Sequence, residues 1–135
     1  MNWIRFGLTV LAAGIGSSLS DWLFMGTLIH EKYKMSAEVW RRPEGGPGES
    51  RAVALATVLG FITCAAFAYT CARFGLHTYS TTLKLAIAVW LIAPLPMILT
   101  NALWIKLHPL LAVSHSAGWL AKLAIAALAV GLLLR

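Results

Sequence analysis

The sequence predicts an all-α integral membrane protein, a bundle of four transmembrane helices, and three observations carry that expectation. Hydrophobic residues make up 59% of the 135-residue chain and charged residues 12%, with a mean hydropathy of +0.77, far from the balance of a soluble domain. The apolar residues gather into four long runs parted by short polar or Gly/Pro-rich stretches. Each run reaches the ~20 residues a helix needs to cross a hydrocarbon core of about 30 Å. A single membrane domain over 1–135 is therefore expected.

The first helix is expected over about 6–29. Its front half has features of a secretory signal, with Arg5 ahead of an apolar core and Ser18-Leu19-Ser20 as a small-x-small site, but it is read as a retained membrane helix. A basic loop over 31–50 follows, with Lys32, Lys34, Arg41 and Arg42 ahead of the helix-breaking run Pro43-Glu44-Gly45-Gly46-Pro47-Gly48. The second helix is expected over about 52–72, and Gly75 suits the end of a helix. Gly75 to Thr82 reads as a turn. The third helix, about 83–107, contains Pro94 and Pro96, which remove backbone donors and release the carbonyls of Trp90 and Ile92. A kink is expected there. His108-Pro109 forms a short turn before the last helix, about 110–134.

The net charge of +6 would suggest nucleic acid in a soluble protein. Here the basic residues collect at segment ends, where they act as topology signals and lipid headgroup contacts, so no nucleic acid partner is expected. The side holding the 31–50 loop carries Lys32, Lys34, Arg41, Arg42, Arg51 and Lys106, against Arg5, Arg73, Lys84 and Arg135 on the other side. That bias puts the loop in the cytoplasm and both termini outside.

In lipid, helices associate through small residues that let backbones approach closely. Ala52, Ala56, Gly60, Cys64, Ala68 and Ala72 recur every four residues on the second helix and read as a packing ridge. The same spacing makes structural packing the stronger reading for Cys64, and Cys71 shares that environment, with no basic neighbour in sequence to favour a thiolate. Ala13 with Ser17 and Gly14 with Ser18 on the first helix, and Ala117, Ala121 and Ala124 on the last, extend the pattern.

Two opposite charges interrupt the grease: Asp21 in the first segment and Lys122 in the last. Intramembrane ionisable groups are costly and mark a site by default, with a partner to be named. At 1.5 Å per residue from the loop side, Asp21 lies roughly 12 Å in and Lys122 about 10–18 Å in, so each is the other's expected partner in one leaflet. Asn101 and His115 lie toward the same end. His115, Trp119 and Lys122 share a face of the last helix, and Ser17 is the i−4 neighbour of Asp21. The locus Asp21, Lys122, Asn101, His115 and Ser17 has three readings: a polar cavity for a proton, ion or small ligand; an ion pair that locks the bundle; or a lysine that snorkels to the headgroups.

Four histidines raise the possibility of haem held between facing helices, yet His30, His77 and His108 sit at span ends or turns, where an imidazole needs no metal. No cofactor and no metal are expected. Trp3 and Trp104 fit an interfacial belt, while Trp22, Trp90 and Trp119 sit deeper and read as packing groups or partner contacts. No Ser-His-Asp, HExxH, paired-carboxylate or phosphate-cradling pattern is present, so no catalytic residue is assigned and no enzyme activity is expected.

The segments Asp21-Trp22-Leu23-Phe24-Met25-Gly26 and Leu95-Pro96-Met97-Ile98-Leu99-Thr100-Asn101-Ala102-Leu103-Trp104 resemble those of the small bacterial membrane proteins grouped as domain of unknown function 1761. The resemblance implies a four-helix, multi-pass protein of a bacterial inner (cytoplasmic) membrane, with a tryptophan-rich end to the first helix and an asparagine near the end of the third. It implies no activity. With 14.6 kDa and almost no extramembrane mass, the chain is expected to be a binding or assembly module in the bilayer, a homo-oligomer or a subunit of a larger membrane complex. The alternatives are a component of a small-molecule, ion or proton transporter and, third, a haem- or quinone-binding electron carrier.

Overall fold

A computed structural model describes residues 2–34 and 46–134. Its order is α1 (Trp3–Asp21), a π-helical segment (Trp22–Leu28), α2 (His30–Lys34), α3 (Glu49–Arg73), α4 (Tyr79–Ile92), α5 (Pro94–Trp104) and α6 (Pro109–Leu133), with no strand among the described residues. Four stretches are long and apolar enough to cross a membrane: Trp3–Leu28, Glu49–Arg73, Tyr79–Trp104 and Pro109–Leu133.

Local chemistry sets the ends. The Asn2 side chain accepts hydrogen bonds from the Ile4 and Arg5 amides at 3.0 and 3.2 Å, so α1 begins three residues ahead of the expected start. At the end of α3, Gly75 adopts φ +67°, and the Leu76 and Gly75 amides return to the Cys71 and Ala72 carbonyls. That is a Schellman closure, which favours glycine because a Cβ is strained in the left-handed region. The turn expected through Thr82 stops at Thr78, whose hydroxyl caps Thr81; α4 therefore starts at Tyr79, earlier than expected. His108 caps α6 through Nδ1, which accepts from the Leu110 amide at 3.2 Å, and Pro109 takes the first helical position, where a missing donor costs nothing.

The kink expected at Pro94 and Pro96 is a full break. Ala93 leaves the helical region at φ −127°, ψ −66°, and both prolines fall in the first turn of α5. The loop expected over 31–50 is shorter at both ends, because α2 and the start of α3 lie within it. Arg41, Arg42 and the run Pro43-Glu44-Gly45 lie outside the described residues.

α6 is the hub: α1 and α4 pack along it, with α5 and α3 making smaller contacts. Three interhelical hydrogen bonds fasten it. The Thr82 hydroxyl donates to the Ala127 carbonyl at 3.0 Å, the Trp90 indole to the Ser116 carbonyl at 2.9 Å, and the Ser114 hydroxyl to the Phe24 carbonyl at 3.0 Å. Bonds of this kind hold membrane helices by about 0.6 kcal/mol each on average. The core is correspondingly small-grained, with Ala13, Ala68, Ala86, Ala126 and Ala127 buried around Phe67, Leu123 and Val130. Gly131 is needed for this approach, since a Cβ there would come within 3.0 Å of the Tyr79 backbone nitrogen.

The expected ridge on α3 packs over part of its length. Gly60, Cys64 and Ala68 are buried and Ala72 is half-buried, but Ala52 and Ala56 are exposed, because the loop-side half of α3 runs beyond its neighbours' cover. The outer faces carry large apolar side chains, among them Leu8, Leu11, Ile15, Leu59 and Leu132, a surface suited to lipid rather than water. Trp3 and Trp104 are exposed near opposite ends of their spans, as a belt requires.

Candidate functional site

α1 and α6 run antiparallel, and the helix register places Asp21 against Lys122. The ammonium Nζ lies 2.7 Å from Asp21 Oδ2, with the lysine side chain 9% exposed and the aspartate 30%. Nζ also sits over the ring of Trp119 at 4.9 Å from its centroid, a cation–π contact that gains strength when water is excluded. Trp119 is half-buried, so the indole forms one wall of the site.

The third wall comes from α3. A Cβ built on Gly60 would stand 3.7 Å from Lys122 Nζ, an ordinary van der Waals distance, so the backbone of α3 lies directly against the ammonium. One turn further on, Cys64 Sγ and Ser17 Oγ form a buried hydrogen bond of 3.3 Å, linking α3 to α1 one turn from the ion pair. Cys64 lies within electrostatic reach of both Lys122 and Asp21. His115, half-buried on α6, lies within electrostatic reach of Asp21.

Depth follows from the helix register. Lys122 stands about 20 Å along α6 from Pro109, and Gly60 about 17 Å along α3 from Glu49. Asp21 stands about 10 Å along its own span from Leu28, so the pair lies inside the apolar spans, between their loop-side end and the middle.

Of the five expected locus residues, the structure brings together Asp21, Lys122 and Ser17, with His115 at their edge. Asn101 is not among them. It is exposed near the end of α5, because α5 restarts after the break at Ala93 and turns Ile98, rather than Asn101, inward. The helix that completes the site is instead α3, through Gly60 and Cys64. The fourfold spacing marks both as ridge members and gives no sign that an ammonium lies against Gly60.

A second feature has no signature in the hydropathy pattern. The residue after Asp21 opens the π-helical segment Trp22–Leu28, an arrangement that shifts backbone hydrogen bonds and is frequent at functional sites. The Ser114 hydroxyl satisfies the Phe24 carbonyl within it. Gly118 packs against it, a Cβ there meeting Phe24 and Met25 at an ordinary 3.7 Å. Ser114 and Gly118 are a small pair four residues apart, the one sequence trace of this contact.

Chemically the site offers an ion pair, an imidazole and a thiol–hydroxyl pair under apolar cover. Among the described residues, no group of three or more His, Cys, Asp or Glu side chains is placed to hold a metal ion.

Spans, register and buried charges together define a multi-pass helical membrane protein organised around one intramembrane ion pair. The chain belongs to the family described as Protein of unknown function (DUF1761), which it matches over residues 8–131. That range takes in every residue of the site. Neither curated proteins nor solved structures give a match.

Proposed function

We propose that the chain is an assembly module of the membrane, a small bundle that completes itself against a second copy or against another membrane subunit. The observation that carries the reading is the uneven cover of the ion pair: Lys122 is enclosed, yet the Asp21 side chain keeps 30% of its surface exposed. Inside the apolar spans, lipid, protein or enclosed water must cover it. A carboxylate open to hydrocarbon is costly, and such groups face protein or a water-filled cavity. The exposed Ala52 and Ala56 on the ridge of α3 supply a small-residue surface for close helix approach. The role belongs in a bacterial inner membrane, with the 31–50 loop cytoplasmic on the balance of Lys and Arg. No catalytic step is part of it.

The test is the mass of the protein in a mild detergent, measured by light scattering with the detergent contribution removed. A defined oligomer is expected, weakened by Ala56→Leu, which blocks close approach. A strict monomer across detergents and in nanodiscs overturns self-assembly, and the absence of any co-purifying membrane subunit then overturns the role as a whole.

A transport role is the second reading, favoured by the meeting of Asp21, Lys122 and His115 inside the apolar spans. Under it, Asp21→Asn abolishes proton or ion flux in liposomes while the fold stays intact.

A further inference from the structure

α3 and α4 are joined by a tight turn, yet they scarcely touch; α4 leans on α6, and α3 mainly on α1. The space between them is an apolar groove of about 360 Å³, lined on α3 by Ala66, Phe67 and Thr70, on α4 by Leu85 and Val89, and floored by Leu123. Its volume is within the range of small-ligand sites. The Thr63 and Thr70 hydroxyls along it are turned back onto the Leu59 and Ala66 carbonyls of their own helix. The groove therefore presents a largely hydrocarbon-like wall to the bilayer, with the hydroxyl protons of Thr63 and Thr70 already committed.

Its end nearer the termini is basic. Arg73 lies three and seven residues beyond Thr70 and Ala66, on the same face of α3, and Lys84 precedes Leu85 on α4. Both are exposed. Arg73 is in the last turn of α3 and Lys84 in the second turn of α4, the depth at which long basic side chains reach headgroup phosphates. An apolar slot within the hydrocarbon layer, with an exposed cation in the adjoining end turns of each of its two helices, complements a phospholipid with an anionic headgroup.

We infer that the α3–α4 groove holds an acyl chain of one anionic phospholipid, with Arg73 and Lys84 binding its phosphate. The inference is independent of the assembly role and uses the opposite end of α3.

The full chain, purified in detergent, is titrated with dioleoyl phosphatidylglycerol or dioleoyl phosphatidylcholine, and retained lipids are counted by native mass spectrometry. One phosphatidylglycerol is expected to be retained in preference to phosphatidylcholine. Each basic residue near a headgroup contributes roughly fivefold in affinity, so Arg73→Gln with Lys84→Gln lowers retention by about 25-fold, whereas Arg51→Gln at the other end of α3 leaves it unchanged. Ala66→Phe fills the slot and removes retention of either lipid, with helicity unaltered. Equal retention of the two lipids, a preference that survives the double change, or an equal loss with Arg51→Gln overturns the site. If Ala66→Phe alters the oligomer mass and not the lipid count, a second copy occupies the groove and the inference fails.

Discussion

Asp21 and Lys122 allow a worked prediction, because their burial differs and each side chain can be replaced by a neutral one of similar shape. At 2.7 Å and an effective dielectric of 20, the gross attraction is about 6 kcal/mol, from which the desolvation of both ions must be subtracted. Asp21→Asn leaves the ammonium enclosed by Gly60 and Trp119 without its counter-charge. A loss of about 3 kcal/mol is expected, the lower end for a broken buried pair. Lys122→Met leaves a carboxylate that is 30% exposed, and about 2 kcal/mol is expected. Methionine follows the lysine stem and holds the packing against α3, so the double variant loses only about 2 kcal/mol and the coupling is about 3 kcal/mol. The assay is reversible unfolding in mixed micelles followed by tryptophan fluorescence, with Trp119 against Lys122 as a local reporter. A double variant whose loss equals the sum of the single losses, with coupling below about 0.5 kcal/mol, would refute the idea that the pair holds the bundle.

Gly60→Leu drives a branched side chain into the position of Lys122 Nζ and is expected to destabilise by about 2 kcal/mol through overpacking, while Gly7→Leu, with open space around it, changes stability by less than about 0.5 kcal/mol in the same assay. Ser114→Ala removes the donor to the Phe24 carbonyl and should cost about 1 kcal/mol, with faster amide exchange confined to Trp22–Leu28. Thr82→Val deletes the bond to Ala127 at nearly constant shape and should cost a similar amount, with exchange faster in α4 instead. The purified protein is expected to show no Soret band after haem is supplied during expression; a band lost on His115→Ala would establish the electron-carrier alternative.

The spans were legible because the bilayer imposes a length and a hydropathy that few alternatives satisfy. Asp21 and Lys122 were legible as partners for a related reason: two opposite charges in four apolar runs leave little choice. Asn101 was misplaced because depth alone does not fix which face of a helix turns inward. That depends on the break at Ala93, where two prolines re-aim α5 and carry its polar residue outward. Asn2 and Thr78 carry the helix starts outward because their side-chain oxygens cap polar turns that hydropathy alone does not count.

Gly60 shows why the remaining part of the site was hidden. A glycine at fourfold spacing with alanines has the same appearance whether it faces a backbone or an ammonium, so helix packing and charge accommodation share one sequence pattern. The distinction is made by α6, which presents alanines to α4 but Lys122 to the cleft between α1 and α3. Cys64 repeats the point one turn away, where a residue assigned to packing bonds to Ser17. The ridge and the polar locus are therefore one construction: the small residues of α3 bring three helices close enough to exclude water, and that exclusion is what makes the charges of Asp21 and Lys122 depend on each other.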